Sequence, residues 1–224
     1  MKAMILAAGK GTRMQPLTLH TPKPLLEAGG KSLIEHQLDR IKSAGIHEVI
    51  INIAYLGEQI REHLGDGSAY GLRIHYSVEP EPLETAGAIA HALPLLGDEP
   101  FLLLNGDVWC EFPLEQLCQH PLNGSSGRLL LVNNPAFKTH GDFSIDQNQL
   151  LGMLELGEGY TYAGIALLLP ALVADYPNKR KIFALREVFD AAIAQGQLSA
   201  EVYRGDWRDI GTVERLQELR DDLS

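Results

Sequence analysis

A glycine-rich turn with cationic side chains lies close to the start of the chain. Gly9 and Gly11 follow an apolar run, Lys10 and Arg13 stand beside them, and Lys23 comes later between two prolines. Glycine lets the backbone approach a ligand closely, and free N–H groups together with Lys and Arg form a cradle for phosphate oxygens. The prolines restrict the returning segment and so fix the direction of Lys23. The turn therefore predicts a triphosphate site.

Two other glycine-rich motifs fit this turn poorly. A dinucleotide-binding G-x-G-x-x-G motif would need a third glycine where the chain has Met14, and no acidic residue ends a following strand at the expected distance. A Walker loop needs Gly-Lys-Ser/Thr, which is absent around Gly11 and Thr12. The remaining alternative is an ordinary strand-to-helix turn. The added Thr12, Arg13 and Lys23 favour the phosphate site.

Two aspartates are candidate metal ligands. Asp107 ends the apolar segment FLLLNGD, and Asp209 lies in GDWRDIGT, a short strand pattern that leads into a helix. Mg²⁺ is often held by one or two carboxylates with water and substrate phosphate oxygens, so these two would suffice. The alternative for each is a turn former or a helix cap. Asp206 is a second choice of ligand, because its place before Trp207 is more typical of a turn.

The segments 6–14, 16–18 and 22–25 (LAAGKGTRM, PLT and PKPL) resemble the sugar-1-phosphate nucleotidyltransferases. These enzymes join a sugar 1-phosphate to a nucleoside triphosphate and release pyrophosphate. The resemblance extends over nearly the whole chain, and among the branches it is strongest to the N-acetylmuramate α-1-phosphate uridylyltransferases of cell-wall recycling. It implies the nucleotide-diphospho-sugar transferase fold, UTP and a sugar 1-phosphate as substrates, and Mg²⁺ as cofactor on Asp107 and Asp209.

The resemblance and the side-chain chemistry together assign roles to the nucleotide half. Arg13 would clasp the β- and γ-phosphates with its planar guanidinium, and Lys23 would place a point charge on the α-phosphate, so that Arg13, Lys23 and Asp107 are the catalytic residues. Segment 79–87 resembles the part that meets base and ribose, or is simply a capped helix start. The predicted nucleotide-binding residues are Ala8, Gly9, Gly11, Thr12, Arg13, Lys23, Glu79, Thr85 as a helix cap, Gly87 beside a flat base, and Asn105.

The predicted sugar side depends on fewer signals. Asp142 and Glu155 could accept hydrogen bonds from sugar hydroxyls, or could be exposed strand acids. Gly164 would leave room for a bulky substituent. Many relatives have a Glu-Lys-Pro segment whose lysine binds the sugar phosphate, but Glu155 is followed by Leu156. That difference favours the uridylyltransferase branch and leaves open which group holds the sugar phosphate.

Strand and helix patterns alternate along the first half. Apolar or β-branched runs predict strands at residues 3–8, 48–53, 72–78 and 101–104. Helices are predicted between a Ser32–Glu35 capping box and Gly45, and at residues 56–64 and 85–93. This order indicates an α/β, Rossmann-like, mixed but mostly parallel sheet with helices on both faces. The turns at Gly9, Glu79 and Asn105 would then share the ligand-binding edge.

The second half of the chain is predicted to be richer in strands. Strands are predicted at 128–132, 142–145, 149–154 and 161–169, followed by a helix at 184–195, a strand at 200–203 and a helix at 213–223. We expect one nucleotidyltransferase domain over residues 1–224. Its nucleotide-binding half would cover residues 1–112, and a smaller β-rich, sugar-binding half residues 113–224.

Composition narrows the possible partners. The 224 residues carry a net charge of −10, so no basic surplus is available for nucleic acid or an anionic membrane. Cys110 and Cys118 are the only cysteines, no secretory leader is recognisable and no apolar run is long enough to span a membrane, so we expect a cytoplasmic protein that is a monomer or weak dimer. The alternatives are mannose-1-phosphate guanylyltransferase, glucose-1-phosphate thymidylyl- or uridylyltransferase, and a non-catalytic nucleotide-sensing subunit.

Overall fold

A seven-stranded sheet forms the centre of the protein, for which a computed structural model describes residues 1–147, 149–153 and 159–224. Six strands run parallel, and only β6 is antiparallel to its neighbours β4 and β5. The spatial order is β7-β5-β6-β4-β1-β2-β3. The strands are β1 (Lys2–Leu6), β2 (Glu48–Ile53), β3 (Arg73–Val78), β4 (Phe101–Asn105), β5 (Gly127–Val132), β6 (Thr161–Leu168) and β7 (Leu198–Tyr203).

Helices cover both faces of the sheet, which confirms the predicted fold class. Alternate residues of β1 point to opposite faces of the sheet. Ile5 packs in the core cluster that includes residues of helices α1 and α2, and Met4 in the cluster that includes residues of α3 and α6, whose bounds are given below. This alternation follows from the period of two along a strand. The helices are α1 (Leu33–Ser43), α2 (Gly57–Leu64), α3 (Glu84–Leu96), α4 (Leu114–Gln119), α5 (Ala171–Ala174), α6 (Leu185–Ile193) and α7 (Val213–Asp222).

The first turn of α1 confirms the predicted capping box. The Ser32 hydroxyl accepts a hydrogen bond from the Glu35 amide at 3.4 Å, and the Glu35 carboxylate accepts from the Ser32 amide at 2.7 Å. Burial alone would raise the pKa of Glu35, but hydrogen bonds from Ser32, Tyr70 and His63 lower it to about 2. The helix ends two residues before Gly45, whose φ of +76° suits the chain reversal there.

The two predicted halves share one sheet. Residues 113–224 contribute β5, β6 and β7 to it, together with helices α4 to α7. A small antiparallel pair, Val108–Cys110 with Trp207–Asp209, joins the halves directly. The sequence predicted a short strand around Asp209 but not its partner. Distant parts of the chain therefore meet beside the carboxyl end of β4.

The helices of the described part of the chain are too short or too polar to cross a bilayer.

Candidate active site

A cavity of about 390 Å³ opens at the carboxyl ends of the parallel strands. Loops after β1, β3 and β4 form its walls, as expected for a sheet of this topology. Sequence-predicted residues in its lining are Ala8, Gly9, Gly11, Thr12, Arg13, Lys23, Glu79, Thr85, Asn105 and Asp107. The fold thus brings the cationic turn and one candidate metal ligand into the same cavity.

The loop after β1 is shaped by Gly11 and held by Thr18. Gly11 has a φ of +61°, and its carbonyl accepts hydrogen bonds from the Met14 amide at 2.9 Å and from the Thr18 hydroxyl at 2.8 Å. Met14 is fully buried, whereas Arg13 beside it is exposed. One face of the short turn is therefore fixed to the core, while Arg13 remains accessible to a ligand.

Gly11→Ala should lower the free energy of unfolding by about 1–3 kcal/mol, because a Cβ is disfavoured at this φ. That Cβ would also lie 2.9 Å from the Thr18 methyl carbon and 3.2 Å from the Lys23 Cβ. Urea denaturation of the purified variant measures the loss.

Gly9→Ala is the matched control for this prediction. No atom of the described residues lies within 4 Å of a Cβ built on Gly9, and the φ of Gly9 is not positive. Its unfolding free energy should stay near that of the wild type. Equal stability losses in the two variants would contradict the assignment of a structural role to Gly11 alone.

Lys23 and Asp107 form an ion pair inside the cavity. The Lys23 Nζ lies 2.6 Å from Asp107 Oδ2, and the Lys23 side chain is 10% exposed against 33% for Asp107. An ammonium group has three donors and a carboxylate has two acceptor oxygens, so each partner keeps capacity for a further contact. The pair therefore places a cation and an anion, both available for a phosphate and a metal ion, at one point of the cavity.

Asp209 lies next to Asp107 through the small antiparallel pair. It stands opposite Val108, and the amide of Ile210 donates to the carbonyl of Asp107 at 2.9 Å. Its Oδ2 accepts from Arg215 Nη1 at 2.6 Å. The neighbouring Gly211, rather than Asp209 itself, contributes to the cavity lining.

The donor set at this point fits Mg²⁺ better than a softer metal. Asp107 and Asp209 would supply carboxylate oxygens, the ligands that Mg²⁺ prefers. No group of three or more His, Cys, Asp and Glu side chains suited to a metal ion occurs among the described residues. Water and substrate phosphate would have to complete the coordination. Asp206, the second choice, has both oxygens engaged by Arg208 at 3.0 Å.

A buried polar network, not foreseen from the sequence, connects three walls of the cavity. Asn52 Oδ1 accepts from the Ala7 amide at 2.8 Å, and its Nδ2 donates to Glu79 Oε1 at 2.7 Å. Glu79 Oε2 accepts from the Leu83 amide at 3.0 Å. Glu79 thus lines the cavity while both its oxygens bind the protein. Asn52 stood out as the one polar residue in the apolar VIINI strand, and that was the available signal.

The segment after Glu79 departs from its predicted details. Glu84, not Thr85, begins α3, and Glu84 has a φ of +59°. The Thr85 hydroxyl accepts from the Leu185 amide at 2.7 Å, so it caps the start of α6 and not its own helix. Gly87 lies outside the lining, because the space where its Cβ would stand is 2.6 Å from the Lys181 carbonyl oxygen. Its missing side chain accommodates the Lys181 carbonyl, and its contact with a base stays a prediction.

Two of the three predicted sugar-side residues lie in the described part of the chain. Gly164, with a φ of +74°, leaves space that the Asn105 side chain already fills, because Nδ2 would be 2.7 Å from a Cβ. The missing side chain thus accommodates Asn105, which lines the cavity, and room for a sugar substituent at Gly164 stays a prediction. Asp142 Oδ2 accepts from Lys138 Nζ at 2.6 Å and from the Tyr162 amide at 2.9 Å. Glu155 lies outside the described residues.

Residues 2–136 match the sequence profile of the Nucleotidyl transferase family. This match shows that the chain belongs to the nucleotidyl transferase family of enzymes, and the loop after β1 with Arg13 and Lys23 agrees with it. The prediction made from the PKPL and LAAGKGTRM segments is thereby confirmed.

Individual relatives extend the match beyond residue 136. The chain is 45% identical to an N-acetylmuramate alpha-1-phosphate uridylyltransferase from Neisseria meningitidis, over 98% of this chain and 97% of that protein. It is 34% identical to a mannose-1-phosphate guanylyltransferase catalytic subunit beta from Xenopus tropicalis, over 94% of this chain but only 61% of that protein. The second relative is therefore considerably longer.

Solved structures share the fold. A structure described as a glucose-1-phosphate thymidylyltransferase from Bacillus anthracis superimposes with a TM-score of 0.89, covering 100% of this chain and 95% of that one, at 22% identity. HddC from Yersinia pseudotuberculosis, complexed with GMP-PN, gives 0.82 at 22% identity. At this identity the likeness concerns the fold alone.

Proposed function

We propose that the protein transfers UMP from UTP to N-acetylmuramic acid α-1-phosphate, giving the UDP-sugar and pyrophosphate. The observation that carries the reaction type is the meeting of the Gly11 turn, Lys23 and Asp107 in one cavity, with Lys23 Nζ 2.6 Å from the Asp107 carboxylate. The choice of base and sugar is supported by the full-length similarity to the N. meningitidis uridylyltransferase.

The proposed reaction needs little proton chemistry. A phosphate monoester is already ionised at neutral pH, so its oxygen attacks the α-phosphorus without a general base, and the pyrophosphate oxygen leaves. Catalysis then consists of alignment and of neutralising the developing charge. Arg13 would bind the β- and γ-phosphates, and Lys23 the α-phosphate.

Mg²⁺ is part of this proposal, with Asp107 and Asp209 as its protein ligands. Its chemistry would be to offset charge on the reacting phosphates. The proposal is supported by two observations: Asp107 lines the cavity together with the Gly11 turn, and the amide of Ile210, next to Asp209, donates to the carbonyl of Asp107 at 2.9 Å.

Pyrophosphate release across a panel of substrates tests the proposal. We expect Mg²⁺-dependent turnover with UTP and N-acetylmuramic acid α-1-phosphate, and at least a hundred-fold lower kcat/KM with GTP and mannose 1-phosphate or dTTP and glucose 1-phosphate, a discrimination of roughly 3 kcal/mol. EDTA should abolish the signal.

The alternatives predict different results in the same assay. Preferred turnover with GTP or dTTP would replace the uridylyl assignment by a sister reaction. Nucleotide binding without pyrophosphate from any pair would favour the nucleotide-sensing subunit. The complete set of Arg13, Lys23, Asp107 and Asp209 argues against that reading, since binding alone does not need all four.

We further infer a cytoplasmic location and a monomer or weak dimer. Both cysteines are free thiols, which suits a reducing compartment. Sedimentation at two protein concentrations would measure the assembly state.

A further inference from the structure

Arg215, in the first turn of α7, forms two hydrogen bonds with Asp209. Its Nη1 donates to Asp209 Oδ2 at 2.6 Å and to the Asp209 carbonyl oxygen at 2.9 Å. One guanidinium nitrogen thus fixes the backbone and one carboxylate oxygen of the same residue. Both side chains are mostly buried, with 21% and 24% exposure, so solvent weakens the pair less than at an open surface.

Gly211 also lies against the Asp209 carboxylate. A Cβ built on Gly211 would be 3.0 Å from Asp209 Oδ1 and 3.1 Å from Oδ2, which is too close for an unstrained contact. Gly211 also lines the cavity. The Asp209 carboxylate is therefore in contact both with the Arg215 guanidinium and with the bare backbone of a residue that forms the cavity wall.

Neighbouring residues hold both the backbone and the guanidinium of Arg215. The Arg215 amide donates to the hydroxyl of Thr212, the residue that caps α7, at 3.4 Å. The next residue, Leu216, is fully buried in a cluster with Met14 of the loop after β1. On the outside, the guanidinium carbon lies 4.0 Å from the centre of the Phe137 ring, which is 57% exposed. Arg215 is thus fixed relative to the loop that carries Arg13.

We propose that Arg215 is a positioning residue: it holds Asp209 Oδ2 and so fixes the carboxylate beside Gly211 of the cavity wall, which keeps Oδ1 for a divalent metal ion. The inference rests on the proposed metal role of Asp209. A carboxylate that accepts from an outer cation on one oxygen keeps the lone pairs of the other oxygen for the metal, and its orientation no longer has to be fixed on binding.

Arg215→Met should weaken metal binding roughly ten-fold or more, because loss of such supporting contacts typically costs ten- to hundred-fold in metal affinity. The readout is Mn²⁺ binding to the protein, measured by electron paramagnetic resonance with a non-hydrolysable UTP analogue present. The Mg²⁺ concentration for half-maximal turnover should rise by a similar factor, with kcat at saturating Mg²⁺ changing less. Arg215→Lys, which keeps the charge, should restore part of the affinity.

Arg220→Met is the matched control on the same helix. Arg220 donates through Nε to the carbonyl of Glu27 and stands away from the metal acids. The Arg220→Met variant should bind Mn²⁺ with the affinity of the wild type. An equal loss in the Arg220 and Arg215 variants would mean that α7 packing alone is responsible, and would overturn the proposal.

Gly211→Ala provides an independent arm if Arg215→Met folds poorly. The added methyl group would displace the carboxylate while leaving Arg215 in place, so Mn²⁺ affinity should again fall. Wild-type affinity in a folded Arg215→Met protein, or in Gly211→Ala, would overturn the positioning role.

Asp209→Asn separates this inference from the proposed function. If that variant lowers Mn²⁺ affinity and Arg215→Met does not, the metal site stands and the positioning role is wrong. If Asp209→Asn binds Mn²⁺ like the wild type, the metal role of Asp209 fails, and the positioning role with it.

Discussion

Asp107→Asn is expected to lower kcat/KM by roughly a thousand-fold, about 4 kcal/mol of transition-state stabilisation, because it removes a proposed ligand of the catalytic metal. Asparagine keeps the size of the side chain and one acceptor oxygen, so Lys23 retains a hydrogen-bond partner and the fold should persist. Steady-state pyrophosphate release at several Mg²⁺ concentrations measures the loss. Circular dichroism and thermal unfolding check the fold.

Asp39→Asn is the control for this substitution. Asp39 also pairs with a lysine, Lys31 at 2.5 Å, but that pair is about half exposed and lies outside the cavity lining. Solvent screens a pair this exposed, so the Asp39→Asn variant should have an activity close to that of the wild type. Full activity in a folded Asp107→Asn enzyme would rule out the proposed metal assignment.

Lys23→Met should reduce kcat by roughly a hundred- to a thousand-fold, the usual cost of removing one oriented donor from a developing charge. Methionine retains most of the aliphatic stem against Gly11 but supplies no cation to the α-phosphate. The Mg²⁺ requirement should stay the same or fall, because Asp107 loses its competing partner. Single-turnover kinetics with saturating UTP separate this effect from nucleotide binding.

Lys31→Met completes the comparison, since it removes the lysine of the exposed pair with Asp39. We expect no more than a two-fold change in kcat from loss of a solvated charge of this kind. If Lys23→Met and Lys31→Met have the same small effect, the ion pair in the cavity is structural and Lys23 does not act on the phosphate.

The strands and helices were largely predictable because each reflects a local pattern. The VIINI run and the Ser32–Glu35 box specify a strand and a helix start from neighbouring residues only, and both are present in the structure. The short pair of Val108–Cys110 with Trp207–Asp209 was not predictable in this way. A short strand was predicted around Asp209, but its partner was not, because the hydrogen bonds of the pair join residues about one hundred positions apart.

Some residues of the candidate site could be predicted from local sequence patterns, and others could not. Arg13, Lys23 and Asp107 carried their own sequence signals, whereas Arg215 and Gly211 did not, because their relevance depends on lying against Asp209 in space. Gly87 and Gly164 also depended on the tertiary structure: the space that a Cβ would occupy lies against Lys181 at Gly87 and against Asn105 at Gly164, contacts that no local pattern indicates.

The sequence by itself determined the α/β alternation, the cation-bearing glycine turn and the family, since these depend on residue type and short-range spacing. Only the tertiary structure decided which groups meet: that Lys23 pairs with Asp107, that Asn52 and Glu79 connect the cavity walls, and that Asp209 is held by Arg215. Hydrogen bonds and ion pairs act over about 3 Å, and which side chains come that close is set by the packing of distant segments and not by their order along the chain.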